Sequence, residues 1–188
     1  MAEPSFDPSQ SVHFDLARGR VALDAKDARL LVPPLALLDL CQSAGQEAIT
    51  AFGRKLGLEA GRRVAHRLGS GLESLGIASW VEHLGGDLAL MGLGSLAVER
   101  WGRALILTVS GSPLGQEGDA LLAAVLEGAL ERALARKASV LALHREDGQT
   151  RFLVLNAGAA AKARTWLAEG VSWGEVLTRL NGAARGDA

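Results

Sequence analysis

Cys41 is the single cysteine of the chain, which excludes an internal disulfide framework. Tyrosine is absent and lysine scarce beside abundant Ala, Gly, Leu and Arg, a bias of the kind GC-rich bacterial coding leaves, which bears on provenance and not on function. An excess of one charge is missing too. Twenty basic against twenty-one acidic side chains leave a net charge of -1, so bulk electrostatics gives no reason to expect DNA, RNA or an acidic membrane as partner. No window reaches eighteen uncharged apolar residues, because Asp39, Glu47, Arg54, Lys55, Glu59, Arg62 and Arg63 interrupt the most apolar N-terminal stretch. That excludes a helical membrane span. The start Met1-Ala-Glu-Pro4 lacks the basic and apolar regions of a secretory signal, so the cytoplasm is the expected compartment.

What is present suits one domain with a real core: 188 residues, 48% of them apolar and 22% charged. We expect a single domain over residues 11–181, with flexible ends at 1–10 and 182–188. Val12, Phe14, Leu16, Val21 and Leu23 alternate around Arg18-Gly19-Arg20 and predict a hairpin. Pro33-Pro34 opens a helix, since the first turn has no use for the missing N–H groups. Leu37, Cys41, Ala44, Ala48 and Phe52 then recur at helical spacing as an inward-facing stripe, and the helical signal runs, with or without a break, to about Leu68. Residues 72–91 read as a second helix, with a kink or break at Gly85-Gly86.

The C-terminal half repeats one pattern. Strands at 95–100 and 103–110 joined by Trp101-Gly102 form a hairpin, and the second of them is apolar on both faces, as a central strand should be. A helix from Ala120 to about Lys137, with Asp119 as its N-cap, follows. A second hairpin at 139–144 and 150–156 turns at Asp147-Gly148, with Phe152 and Val154 on one face and Leu153 and Leu155 on the other. Helices at 157–168 and from the capping box Ser172-Trp-Gly-Glu175 to Leu180 complete it. The predicted class is α+β, with N-terminal helices packed on a four-stranded antiparallel sheet built from hairpin and helix, twice.

Gly53, Gly57 and Gly61 lie four residues apart and share one helix face, although each costs about 1 kcal/mol of helix propensity relative to Ala. A neighbouring helix packed backbone-to-backbone is the favoured explanation. A groove where a chain-like ligand approaches the backbone is the other.

Catalytic chemistry finds little support. His13, His66, His83 and His144 are scattered singly, without metal-ligand spacing, and each reads as a surface histidine. Gly92-Leu-Gly94-Ser-Leu-Ala97 has the letters of a dinucleotide fingerprint but follows a helix and precedes a strand, the reverse of what a pyrophosphate site needs. There is no phosphate loop and no nucleophile elbow. Cys41 is either a small buried hydrophobe or a thiol facing an apolar tunnel. Trp80, Trp166 and Trp173 read as anchors of helix to sheet. Trp101, at a hairpin tip, would be exposed in a monomer unless another element covers it, which makes it a candidate interface residue.

Several runs resemble the 4-vinyl-reductase-like small-ligand-binding domains, related to the Bet-three type subunits of the TRAPP vesicle-tethering complex. The runs are Gly92-Leu-Gly94-Ser-Leu-Ala-Val-Glu-Arg100, Val109-Ser-Gly-Ser-Pro-Leu114, Leu121-Leu-Ala-Ala-Val-Leu-Glu-Gly128-Ala-Leu130 and Arg151-Phe-Leu-Val154. The resemblance spans residues 35–180. It implies a helical layer over a four-stranded sheet, a homodimer formed through helices, and an apolar cavity for a hydrocarbon, an acyl chain or a small aromatic. It also implies that a cavity cysteine can be acylated, for which Cys41 is the candidate. Aromatic-sensing relatives hold a metal with cysteines around the last hairpin, where this chain has His144 alone, so no metal is expected.

The leading expectation is a non-enzymatic binder of an apolar small molecule, with no cofactor beyond a bound lipid or hydrocarbon. Leu37, Cys41, Ala44, Phe52, Leu90 and Met91 are the candidate lining, in a pocket between the N-terminal helices and the sheet. The alternative is a scaffold or assembly subunit with a filled core that recruits a protein partner such as a small GTPase.

Overall fold

A computed structural model describes residues 6–24, 27–69, 72–134 and 137–183, with side chains at 6–24, 28–69, 76–132 and 137–182. Asp7 accepts a hydrogen bond from the Ser9 amide at 2.9 Å and caps the short helix α1 (Pro8–Ser11). An antiparallel meander follows, of β1 (Val12–Asp15), β2 (Arg20–Leu23) and β3 (Asp27–Arg29) in that order. The expected hairpin is there, in the register Val12↔Leu23 and Phe14↔Val21, and it carries a third strand that the sequence did not announce.

Pro34 opens α2 (Pro34–Ala44), and α3 (Gln46–Leu68) follows after Gly45, whose φ of 84° ends the first helix. That break corrects the single inward stripe. Leu37 is half-buried and Cys41 buried, while Ala44, the last residue of α2, is exposed; Ala48 and Phe52 are exposed because a residue with positive φ resets the helical phase between the two segments. Gly53, Gly57 and Gly61 face α5, which settles the glycine stripe in favour of the neighbouring helix.

In α4 (Leu72–Leu90) the kink lies at Gly76, with φ 73° and ψ 171°, and not at Gly85-Gly86. The latter pair allows close approach instead: Gly85 packs on Leu96, and Gly86 lies under the ring of Phe6. A helix can carry glycine for contact as well as for bending.

The second sheet comprises β4 (Ser95–Trp101), β5 (Ala104–Ser110), β6 (Ser139–Glu146) and β7 (Gln149–Leu155), antiparallel throughout in the order β4-β5-β7-β6. Trp101 pairs with Ala104, so it ends β4, and the linking residues are Gly102 and Arg103, one position beyond the expected turn. Between the hairpins lies α5 (Asp119–Leu134), and α6 (Ala157–Ala168) and α7 (Trp173–Ala183) follow the second. Asp119 is not the N-cap of α5. It has helical angles, and its carboxylate accepts from Arg145 and from Thr150 Oγ1, tying the helix start to β6 and β7. A charge-assisted bond outweighs a cap here.

As expected of a central strand, β5 contributes to both faces. Leu107 and Val109 join Phe152, Leu84, Val64 and the buried side of α5 in the main core. Ile106 joins Leu153 and Leu177 on the opposite face, under α7. The structure is α+β, with helices packed on a four-stranded antiparallel sheet.

Candidate functional site

A cavity of about 650 Å³ lies beneath the meander, between it, α3 and the end of α4. Its floor is one stripe of α3, with Phe52, Leu56, Glu59 and Arg63 at three- and four-residue spacing. Its roof comes from the meander, where strand alternation aims Val12, Phe14, Val21 and Leu23 the same way. Leu30, Leu31 and Val32 form one side, with Leu37 of α2, and Leu90, Met91 and Leu93 close the end.

Arg29, Glu59 and Arg63 are the charged groups of this lining. Arg29 Nη2 lies 3.7 Å from Glu59 Oε2. Arg63 is buried and donates from Nε to Asp87 Oδ2 at 2.7 Å, while Asp87, wholly enclosed, also accepts from Arg67 Nη1 at 2.6 Å. Arg67 Nη2 in turn donates to Asp24 Oδ1 at 2.9 Å, just after β2. Burial disfavours the charge on Arg67, but its hydrogen bond to Asp24 and the field of Asp87 outweigh that, and its pKa is raised above the ordinary arginine value. A string of alternating charge therefore runs from the cavity floor to the roof.

His83 corrects another expectation. It is buried, not on the surface, one turn before Asp87 on the inward face of α4, with the Phe6 ring edge-on at 6.0 Å. Among the described residues, no group of three or more His, Cys, Asp or Glu side chains converges as a metal site would, and no helix is long and apolar enough to cross a membrane.

Four of the six candidate lining residues, Leu37, Phe52, Leu90 and Met91, border the cavity. Cys41 is buried in the main core, and Ala44 is exposed at the end of α2. Sequence reasoning missed the meander's contribution and the charged floor. The alternation of Val12 and Phe14 with Val21 and Leu23 was the available signal for the first, and Glu59 and Arg63 at the spacing of Phe52 and Leu56 for the second. Trp101 is half-buried: its ring centroid lies 5.3 Å from that of Trp173, its Nε1 donates to Glu99 Oε2 at 2.9 Å, and the Arg151 guanidinium sits 5.7 Å from the ring. The start of α7 covers the hairpin tip within one chain.

No protein-family model matches this chain, and no curated protein matches it. Among solved structures it is similar to the phenol-responsive sensory domain of the transcription activator PoxR, determined with phenol. The TM-score is 0.60 at 12% sequence identity, over 78% of this chain and 85% of that one. The two share a fold. At this identity the likeness concerns the path of the backbone rather than the side chains that fill it.

Proposed function

We propose that this chain is a non-catalytic sensory domain that holds an apolar small molecule, such as a hydrocarbon, an acyl chain or a small aromatic, in the cavity beneath the N-terminal meander. The cavity itself carries the reading. About 650 Å³ is the size of a small-molecule site, and apolar walls with a few charged groups at one side are what such sites are made of. The fold shared with a phenol-responsive domain supports the same role. A space of this size also favours a binder over an assembly subunit of TRAPP type with a filled core and a small GTPase as partner. Cys41 lies outside the lining, so the ligand is held without a covalent bond. The expected compartment is the cytoplasm.

A thermal-shift series with phenol, toluene, decane and decanoate tests this. A ligand present at a hundred times its dissociation constant stabilises by about 2.7 kcal/mol, which for a chain of this length raises the melting temperature by roughly 5–10 °C. No shift with any of the four, and no small molecule released on denaturing extraction, would remove the basis of the proposal.

A further inference from the structure

Glu59 lines the apolar cavity, and the fold gives its carboxylate little to bind. Among the described residues its one polar partner is Arg29, whose Nη2 lies 3.7 Å from Oε2, too far for a hydrogen bond. Arg63, one turn further along the same face of α3, gives Nε and Nη2 to Asp87 instead. Asp87 is the contrasting case, since it takes bonds of 2.7 and 2.6 Å from two guanidinium groups and is closed to water. The Glu59 side chain is 34% exposed, and Phe52 and Leu56 precede it on the cavity floor. A carboxylate accepts and cannot donate, so one that lines a cavity needs a donor from whatever fills the space.

We propose that the ligand is a neutral long-chain alcohol whose hydroxyl donates to Glu59 and accepts from Arg29. This rests on the ligand-binding reading above and narrows it to one head group. Geometry selects the hydroxyl. An oxygen about 2.8 Å from both partners closes a triangle on the 3.7 Å between Arg29 Nη2 and Glu59 Oε2. One atom that both donates and accepts therefore completes the pair.

Other heads fail on one side of it. A hydrocarbon or an ether offers Glu59 no donor. A carboxylate sets like charge against Glu59, and an ammonium has no acceptor for Arg29 and sets like charge against that guanidinium. The body follows from the shape of the space. At about 30 Å³ for each heavy atom, the share that water takes in the liquid, 650 Å³ holds on the order of twenty such atoms. The floor from Phe52 to Arg63 covers three turns of helix, about 16 Å at 1.5 Å per residue. An elongated chain fills that length, whereas a single ring leaves most of it empty.

The test is isothermal titration of the full chain with dodecanol, its isomer undecyl methyl ether, dodecanoate, dodecylammonium and phenol. The ether keeps every heavy atom of the alcohol and lacks the O–H. Dodecanol should bind most tightly, and about tenfold or more better than the ether, the worth of a hydrogen bond to a charged acceptor. Glu59→Leu should bring the two isomers to within about twofold of each other. It should also strengthen dodecanoate, because the opposing carboxylate is gone and Arg29 remains. Should the variant fail to fold, the wild-type order decides alone.

Equal affinity for the alcohol and its ether overturns the assignment and leaves the cavity reading standing. So does tighter binding of dodecanoate, dodecylammonium or phenol than of dodecanol, or a Glu59→Leu chain that keeps the alcohol's advantage. Binding of none of the five overturns the cavity reading itself, and this inference with it.

Discussion

The backbone of Gly57 lies against the carbonyl group of Val125, so close that a Cβ at position 57 would stand 1.9 Å from its oxygen. The approach is reciprocal, since a Cβ on Gly128 of α5 would stand 2.2 Å from the carbonyl oxygen of Arg54. Helices α3 and α5 touch through bare backbone, and neither side has a flexible atom to yield. Gly57→Ala should therefore exceed the usual overpacking penalty and cost about 3 kcal/mol or more. Gly174, in α7, has nothing within 4 Å of its would-be Cβ. Gly174→Ala should gain about 0.5–1 kcal/mol from helix propensity alone. Urea unfolding of both variants measures the contrast, and a neutral Gly57→Ala would mean that the two helices are not interlocked.

Asp87 balances two guanidinium groups in a site closed to water. Asp87→Ala removes the carboxylate that Arg63 and Arg67 share in this enclosed site, and removing one partner of a buried ion pair costs about 3–5 kcal/mol. The pH dependence follows from Arg67. A base whose pKa is raised in the folded state stabilises fully below its ordinary unfolded value, which for an arginine lies far into the alkaline range, and loses that contribution only as pH rises through the still higher folded value. The difference between wild type and Asp87→Ala should then be the same at pH about 7 and about 10. A difference that shrinks at the higher pH would mean that some group other than Arg67 governs the cluster.

The sheet was legible because its signal is local. Strict alternation in β7 places Phe152 and Leu153 on opposite faces, and the doubly apolar β5 could belong only in the middle. Around the site the signal is weaker. Gly45 ends one helical phase and starts another, so the stripe from Leu37 to Phe52 splits between core and surface. Gly85-Gly86 reads as a bend but serves contact with Leu96 and Phe6, while the bend falls at Gly76. Arg63 and Asp87 meet across 24 positions, and no periodicity within either helix reports a pair formed between helices. Cavity walls are chemically the same as core, which is why Cys41 was placed among them.

Trp173 covers Trp101 on one side and stacks on His144, 6.0 Å away, on the other. Trp173→Ala should cost about 1–2 kcal/mol, from the lost aromatic contact plus the area it buries. It should also shift tryptophan emission to longer wavelength as Trp101 meets water. Emission that stays put would mean that α7 does not shield the hairpin tip.

Filling the cavity separates its role from that of the core beneath it. Met91 borders the cavity beside Arg63, its Sδ 3.9 Å from Nη2. Met91→Trp adds its bulk into space that is already empty, so strain should be small and stability should change by no more than about 1 kcal/mol. The thermal shift produced by an apolar ligand should disappear. Cys41 supplies the opposite case, because it packs in the core and does not touch the cavity. Cys41→Ala should lower stability by about 1 kcal/mol through lost packing and leave the ligand-induced shift intact. A ligand response lost in Cys41→Ala but kept in Met91→Trp would place the binding site on the other side of α2.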